Sequence, residues 1–458
     1  MDELPETLDE TYARTLKEID KKNWEYAHRL FHCVAAASRP LFVDELAEFL
    51  AFDFEAGVAG STPTLLAEWR PEDSTHAVLS ICSSLLAVVK LDDNSSVVQF
   101  AHFSVKEYLT SARLAGAMDT ISRFHVSMTT AHTIIAQACL GVLLHFDEDV
   151  TKDSLEEFPL TDYAAEHWVG HARFENVSSR VQDGMERLFD PSKSHLSVWT
   201  WIYDPNDFGR RYGSSKIPRA TPLHYAACCG MHDAVKFLIV KHSQDINARG
   251  FSRKETPLHV ASRNGLADIA QLLLEHGADA NAQDDFECTP LYLASRNGFV
   301  EVARVLLEHD ADTEARGFGN WSPLIQASAK GHVEVVRVLL EHGADANAPG
   351  YDVPTPLHFA SNNGDVGVAR VLLEHGADAN ARDDGNATPL HLACHWSELP
   401  DIVRLLLHHG ADIHARDDEG QTPFMRVAEQ GESMMQLLLE HGAEDHRMAI
   451  TTDADSRT

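Results

Sequence analysis

The stretch from Thr256 to Gly265 reads TPLHVASRNG, and versions of this decapeptide recur through the second half of the chain. They open at seven positions, which are Thr221, Thr256, Thr289, Ser322, Thr355, Thr388 and Thr422. The steps between these positions are 35, 33, 33, 33, 33 and 34 residues. A fixed period of this length that carries T-P-L-H-x-A predicts stacked helix-turn-helix units, because no single unit can bury its apolar face alone.

The recurring letters of one unit have separate physical roles. Thr256 is expected to cap a helix, and Pro257 suits the first helical position because its missing N–H is not needed there. Gly265 is expected at the turn, and the apolar spacing over residues 269–273 predicts a second helix that ends at Gly277.

This period and motif resemble the ankyrin repeat. The resemblance implies a mainly α-helical solenoid that offers a protein-binding surface and supplies no chemistry of its own. We expect an array of seven repeats over residues 213–447, with atypical units at both ends, and a disordered tail over residues 448–458.

The composition limits the classes of partner and compartment. The formal net charge of −32 disfavours nucleic acid and anionic membranes and favours a neutral or basic protein partner. No apolar run approaches the roughly 18 residues of a membrane span, and the acidic N-terminus lacks a signal-peptide pattern. Seven cysteines without a C-x-x-C pair predict reduced thiols, so we expect a cytoplasmic or nuclear protein.

The first half of the chain predicts a winged-helix-like domain over residues 1–115 and a helical connector over residues 116–212. We expect helices over residues 9–31, 44–50 and 77–86, with Asp44 as a cap. We expect strands over residues 41–43, 86–91 and 96–103, the last two joined by a turn at 92–94. The 19 acidic and 10 basic residues of 1–115 disfavour a DNA-reading winged helix.

Four stretches resemble the segment that follows the NACHT nucleotide-binding module in fungal NLR-like proteins. They are LPETLDETYARTLKEID (4–20), SRPLFVDELAEFLAFD (38–53), ICSSLLAVV…VVQFAHFSVKEYLTS (81–111) and FPLTDYAAEHWVGHAR (158–173). In that family a winged helix, a helical stretch and ankyrin repeats follow the ATPase. This chain lacks G-x-x-x-x-G-K-[ST], since GRRYGSSK (209–216) has the wrong spacing. We therefore expect the NACHT module to be absent, and with it any nucleotide site.

The 27 histidines invite a metal interpretation, but ten of them recur with the repeat period. Four stand at the fourth letter of T-P-L-H, and six precede the helix-ending Gly or its replacement. We interpret these ten as structural, with hydrogen bonds between units. No Cys/His quartet is present, and the vicinal pair Cys228 and Cys229 has no partnered catalytic histidine. We expect no catalytic residue, cofactor or metal.

Function should lie at the variable positions of the hairpins and the concave face. Aromatic and arginine side chains at these positions are our candidate partner-binding residues, because such side chains dominate interface energetics. They are Phe286, Phe318, Trp321, Tyr351, Trp396, Arg263 and Arg296. The other positions of the same frame are Ser252, Arg253, Glu255, Asn264, Asp285, Cys288, Asn297, Gly319, Ala329, Lys330, Asp352, Pro354, Asn362, Asn363, Asp384, Gly385, Ala387 and His395. We expect Trp321 to lie on a hairpin that projects into solvent. An alternative for Phe318 and Tyr351 is packing across the hairpin tips.

Two function classes remain open at this point. The preferred one is a non-catalytic protein-interaction scaffold, with the repeats as its recognition arm and the winged helix as a docking or regulatory module. The alternative is the C-terminal part of an NLR-like signalling NTPase without its ATPase, which an in-frame P-loop upstream would support. No docking motif supports a third class, an adaptor that presents clients to another enzyme.

Overall fold

The computed structural model describes residues 6–54, 62–118, 120–207, 212–213, 215–350, 354–395, 400–427 and 431–444. The chain forms two compact units, Met1–Gln244 and Asp245–Thr458. The division falls after the first predicted repeat, so that repeat lies in unit 1. The predicted domain limits themselves stay predictions, and the predicted disordered tail lies outside the described residues.

Unit 1 is mainly helical, with short strands in its first part. Its helices are α1 (Glu6–Glu18), α2 (Trp24–Ala36), α3 (Val43–Glu48), α4 (Ser74–Cys82), α5 (Phe103–Leu109), α6 (Ala112–Ala115), α7 (Met128–Leu143), α8 (Lys152–Glu156), α9 (Thr161–Ala172), α10 (Gln182–Phe189), α11 (His195–Ile202), α12 (Pro222–Cys228) and α13 (His232–His242). Its strands are β1 (Leu41–Phe42), β2 (Phe52–Asp53), β3 (Thr64–Leu65), β4 (Leu86–Lys90) and β5 (Ser96–Phe100).

The predicted winged-helix architecture is confirmed. Strands β1, β5 and β4 form an antiparallel sheet in that order, and Val98 pairs with both Leu41 and Val88. The turn between β4 and β5 contains Asn94 at φ 67°, a left-handed conformation that asparagine tolerates. The helices that precede this hairpin complete the winged-helix order.

Two predicted helices of this domain have different limits. The single helix predicted over 9–31 is divided into α1 and α2, because Asp20 starts a separate turn by accepting the Lys22 N–H at 3.1 Å. The helix predicted over 77–86 begins at Ser74, since the Asp73 carboxylate caps it through the His76 N–H at 2.9 Å. Both differences come from short-range aspartate caps.

The capping prediction for Asp44 is wrong. The capping contact belongs to Glu45, whose Oε2 accepts the Phe42 N–H at 2.8 Å. The same carboxylate accepts two hydrogen bonds from Arg39, at 2.8 and 2.6 Å. Glu45 is buried, and this bidentate pair compensates for the loss of water around its charge.

A buried hydrogen-bond chain joins the winged-helix segment to helices α7 and α9 within unit 1. The Tyr163 hydroxyl accepts the Ser38 N–H at 3.0 Å and donates to Nε2 of His171 at 2.8 Å. Nδ1 of His171 then donates to Nδ1 of His132 at 2.7 Å. A neutral His171 with its proton on Nδ1 allows this order of donors and acceptors, because its Nε2 can then accept from Tyr163. Burial, with His132 and His167 nearby, lowers the pKa of His171 from 6.5 to about 3.

Unit 1 should therefore lose stability in mild acid. Between the two pKa values the unfolded chain binds a proton that the folded His171 does not, so the free energy of unfolding falls as the pH drops below 6.5. We expect His171 alone to contribute a loss of about 2 kcal/mol between pH 7 and pH 5. Urea unfolding followed by tryptophan fluorescence measures this loss at each pH.

The matched variant is His171→Gln, which keeps a hydrogen-bonding side chain and cannot titrate. Its unfolding free energy should change less between pH 7 and pH 5 than that of the parent chain. His32, whose pKa burial lowers to about 4, supplies a remaining acid dependence in both proteins. An identical pH dependence for parent and variant would show that His171 does not set this loss.

Unit 2 consists of helix pairs joined by hairpins. The helices are α14 (Pro257–Arg263), α15 (Ala267–Glu275), α16 (Pro290–Asn297), α17 (Val300–Glu308), α18 (Pro323–Ala329), α19 (Val333–Glu341), α20 (Pro356–Asn363), α21 (Val366–Glu374), α22 (Pro389–His395), α23 (Pro400–His408), α24 (Pro423–Arg426) and α25 (Glu432–Glu440). Each pair starts with proline at its first helical position, which confirms the predicted helix-turn-helix repeat.

The T-P-L-H histidines His259, His358 and His391 connect successive units. In one example, Nε2 of His259 donates to the carbonyl of Cys288 in the next unit at 2.9 Å, and Nδ1 contacts the Thr256 hydroxyl at 2.7 Å. The same bridge recurs from His358 to Ala387 and from His391 to Gln421, each at 3.1 Å. The predicted inter-unit role is thus confirmed for these fourth-letter histidines.

The predicted inter-unit role is wrong for the helix-ending histidines. Nδ1 of His276 donates to the carbonyl of Leu272 in its own helix at 2.9 Å, and the five later equivalents make the same intrahelical bond. The second link between units comes instead from asparagine. Asn281 accepts the Asp312 N–H at 2.7 Å and donates to the Asp310 carbonyl at 3.2 Å.

Candidate functional site

One groove of unit 2 collects predicted site residues from successive units. It has a volume of about 480 Å³ and opens between the hairpins that precede α16 and α18. Aromatic, cationic and small polar side chains line it. They are Arg253, Phe286, Cys288, Tyr292, Arg296, Phe318, Gly319, Trp321, Gln326 and Lys330. We call this set the aromatic groove.

The floor of the aromatic groove exists because Tyr292 replaces the histidine of T-P-L-H. Its ring is buried, and its hydroxyl donates to the Phe318 carbonyl at 3.2 Å and accepts from Nε2 of Gln326 at 2.6 Å. A side chain at Gly317 would bring a Cβ within 2.8 Å of the Tyr292 ring. Glycine at 317 therefore lets the hairpin backbone pass close over the tyrosine.

Two aromatic rings stand exposed at the rim of the groove. Phe286 is 45% exposed and Phe318 is 65% exposed, and their rings meet edge to face with centroids 6.1 Å apart. The structure brings together these two candidates from consecutive hairpins. Phe318 thus packs across the hairpin tips through its contact with Phe286, as the alternative interpretation expected. Most of the Phe318 surface nevertheless stays exposed to solvent.

Trp321 does not project into solvent as predicted. Its half-buried ring packs against the buried cluster of Cys288, Tyr292 and Leu293, and its centroid lies 4.7 Å from that of Phe359. The hairpin bridge between Gly317 and Trp321 turns the indole inward toward the helices. Trp321 thus forms a wall of the groove and part of the repeat core.

Three cations surround the aromatic surface. The Arg253 guanidinium lies 5.1 Å from the centre of the Phe286 ring, and Arg296 and Lys330 are exposed on the neighbouring repeats. Over the described residues, none of the three has a salt bridge, and no carboxylate lines the groove. The surface can therefore bind through both apolar contact and positive charge.

The groove contains no activated nucleophile among its described residues. Burial raises the pKa of the Cys288 thiol, which opposes formation of the reactive thiolate. Burial also raises the pKa of Tyr292 to about 12, so the phenol stays protonated at neutral pH. These two groups fit a binding surface better than a catalytic one.

The remaining predicted site residues have different positions. The Arg263 guanidinium forms a salt bridge at 3.3 Å with the buried Glu255. The positive charge of Arg263 is therefore paired within its own repeat. Arg296 lines the groove, whereas Tyr351 and Trp396 lie outside the described residues. Tyr292 and Gln326 also line the groove, although neither is among the predicted site residues. The change of T-P-L-H to T-P-L-Y at 292 was the available signal.

Two other kinds of site are absent from the described residues. No three His, Cys, Asp or Glu side chains in them are placed to hold a metal ion together. None of the described helices combines the length and the apolar character that crossing a bilayer requires.

Two regions of the sequence match known families. Residues 203–284, 279–350 and 349–417 match the family Ank_2, ankyrin repeats. Residues 13–122 match the GPI inositol-deacylase winged helix domain. The two resemblances inferred from the repeat motif and the winged-helix order are thus supported by independent matches.

Individual relatives cover only parts of the chain. It is 30% identical over 298 residues to the azaphilone pigments biosynthesis cluster protein L of Monascus ruber, which covers 60% of each protein. It is 39% identical over 72 residues to alpha-latrocrustotoxin-Lt1a of Latrodectus tredecimguttatus, 16% of this chain and 5% of the toxin. The chain thus spans 60% or less of the length of these curated relatives. The solved human ASB11 ankyrin repeat domain is 30% identical to this chain, with a TM-score of 0.44. The aligned region covers 49% of this chain and 99% of that domain.

The different burial of two groove aromatics predicts different effects on stability. Phe318→Ala should change the free energy of unfolding by about 0.5 kcal/mol or less, because the ring is mostly exposed. Trp321→Ala should lower it by roughly 1–3 kcal/mol, because it removes part of the core packing. Thermal and urea unfolding followed by circular dichroism measure both values. Equal effects of the two substitutions would contradict the inward placement of Trp321.

Proposed function

We propose that this chain, which combines ankyrin repeats with an N-terminal winged-helix domain of the GPI inositol-deacylase type, is a non-catalytic protein-interaction scaffold. The ankyrin repeats bind a protein partner through their hairpins and concave face. The winged helix serves as a docking or regulatory module. The scaffold acts in the cytoplasm or the nucleus.

The aromatic groove is the observation that carries this proposal. Phe286 and Phe318 expose two large rings side by side, with Arg253 and Arg296 beside them. Aromatic and arginine side chains are enriched among the residues that contribute most to protein–protein affinity. An exposed apolar surface with a polar rim is typical of a partner site on a soluble protein.

The repeat scaffold supports binding because it holds the groove in one geometry. The Tyr292 hydroxyl fixes the hairpin of Phe318, and Gln326 fixes the tyrosine in turn. The Asn281 side chain bridges the neighbouring hairpin backbones through the Asp310 carbonyl and the Asp312 amide. A binding surface that is ordered before the partner arrives loses less conformational entropy on association.

The winged helix has features that support docking and not DNA reading. Residues 1–115, which contain this domain, include 19 acidic and 10 basic residues, and the excess negative charge repels a phosphate backbone. Glu48 joins this domain to the rest of unit 1, since its buried carboxylate accepts the Leu160 N–H at 2.6 Å and pairs with Arg70. A partner that contacts one part of unit 1 would therefore affect the other.

The proposal predicts that the full chain neither binds nor hydrolyses ATP. The sequence contains no G-x-x-x-x-G-K-[ST] loop, whose backbone amides and lysine would hold the phosphates. Titration calorimetry with ATP and Mg²⁺ should give no saturable heat, and a phosphate-release assay should stay at background. Saturable micromolar ATP binding would refute this prediction and support the NLR-like NTPase alternative.

The direct test of partner binding uses matched exposed phenylalanines. Proteins captured by the full chain from its native extract should be lost when Phe286 and Phe318 are both replaced by alanine, because their rings supply the exposed anchor surface. Phe103→Ala in unit 1 is the control, since Phe103 is 69% exposed and lies outside the groove. Quantitative mass spectrometry of the three captures measures the loss. Equal capture by all three proteins would place partner binding elsewhere.

A further inference from the structure

We propose that the aromatic groove binds an acidic peptide segment of a partner, one that inserts a single aromatic or large aliphatic side chain between carboxylates. This inference rests on the proposed function and specifies the chemistry of its partner. It reverses, at this one site, the charge preference that the net charge of the whole chain predicts.

The charge of the groove is opposite to that of the chain. The whole sequence has 70 acidic and 38 basic residues, yet the residues that line the groove include three cations and no carboxylate. Those cations, Arg253, Arg296 and Lys330, come from three successive repeats. Because none of them has a salt-bridge partner in the described residues, each can bind a carboxylate of a ligand without first breaking an internal pair.

The carboxylates nearest to the groove lie outside its lining. Oδ1 of the buried Asp284 accepts hydrogen bonds from the Phe286 and Cys288 N–H groups, at 2.8 and 2.9 Å. Asp285 lies 3.7 Å from Lys254, and Glu255 pairs with Arg263. None of these three acidic residues lines the groove. The Asp284 charge nevertheless acts on Cys288 and Tyr292 in the floor, and Glu255 attracts Arg253. The positive charge open to a ligand is therefore carried mainly by Arg296 and Lys330.

The apolar part of the groove requires an apolar anchor in the ligand. Tyr292 and Cys288 form a buried floor, Trp321 forms one wall, and the exposed rings of Phe286 and Phe318 form the rim. The volume of about 480 Å³ lies within the usual range of ligand sites, roughly 300–1,000 Å³. One large side chain with its neighbouring backbone fits this space, and an aromatic anchor can also meet the rim rings edge to face.

A basic ligand is disfavoured although aromatic rings attract cations. Arg253 already stands over the Phe286 ring at 5.1 Å, so the ring face that a ligand cation would use is occupied. Arg296 and Lys330 would repel a second cation brought into the same groove. A nucleic acid shares the negative charge of an acidic peptide, and the net charge of −32 opposes the long-range approach of both. The repulsion is stronger for a polymer that carries one charge at every phosphate, so we expect the short acidic peptide to bind more tightly.

Fluorescence anisotropy with the full chain and defined probes tests this inference. The first probe is a labelled peptide with one phenylalanine flanked on each side by four acidic residues. The second has lysines in place of the acidic residues, the third has glycine in place of phenylalanine, and the fourth is a labelled single-stranded oligonucleotide. We expect the first probe to bind at least about tenfold more tightly than each of the others, with an affinity that falls as salt rises.

Two charge variants and one matched control locate the binding. Arg296→Gln and Lys330→Gln should each weaken binding of the first probe roughly two- to fivefold, the range of an exposed ion pair. Arg370→Gln should leave it unchanged, because Arg370 is an exposed arginine of α21 outside the groove. Equal binding of acidic and basic peptides, tighter binding of the oligonucleotide, or an equal loss in all three variants would overturn the inference.

Failure of this inference can be separated from failure of the proposed function. If replacement of Phe286 and Phe318 abolishes partner capture while Arg296→Gln and Lys330→Gln do not reduce it, the scaffold function stands and the acidic-ligand inference is wrong. If none of these substitutions reduces capture, the aromatic groove is not the partner site, so the inference is wrong and the scaffold function must rest on another surface.

Discussion

The histidine bridge between successive repeats is the interaction on which unit 2 depends. His259 donates from Nε2 to the Cys288 carbonyl, while its Nδ1 accepts from the Thr256 N–H at 3.1 Å. Only neutral imidazole can do both, and burial lowers the pKa of this histidine and so favours the neutral form. One side chain thereby fixes the start of its own helix and the position of the next hairpin. Repetition of this bridge makes the hairpins regular, and regular hairpins can hold a recognition surface.

The aromatic groove lies where this bridge is altered. Tyr292 replaces the histidine and contacts the next hairpin through the Phe318 carbonyl, further from the helix than the carbonyl that His259 reaches. The larger ring needs Gly317 above it and Gln326 beside it. Position 292 therefore keeps the link between units and also provides the apolar floor of a binding site. A single change at the fourth letter of the repeat therefore alters both the contact between units and the surface available to a partner.

The sequence predicted the regular features well because they depend on short-range chemistry that recurs. The period and the T-P-L-H motif placed the helix pairs, and the order of elements placed the β4–β5 hairpin. The errors concern contacts between distant residues. Glu45 and not Asp44 caps α3 because Arg39 holds its carboxylate, and Trp321 turns inward because Tyr292 and Phe359 provide a surface for its ring. Arg253, Arg296 and Lys330 are far apart in the sequence, and they line one groove only because three repeats stack side by side.

The central claim is that partner recognition occurs on the hairpins of unit 2. Hydrogen exchange of the full chain, measured with and without a purified captured partner, tests it most directly. The account predicts slower exchange for the backbone amides of residues 285–288 and 317–321, which form the rim and wall of the groove. Slower exchange confined to the winged-helix residues 13–122, with no change over 251–330, would contradict it.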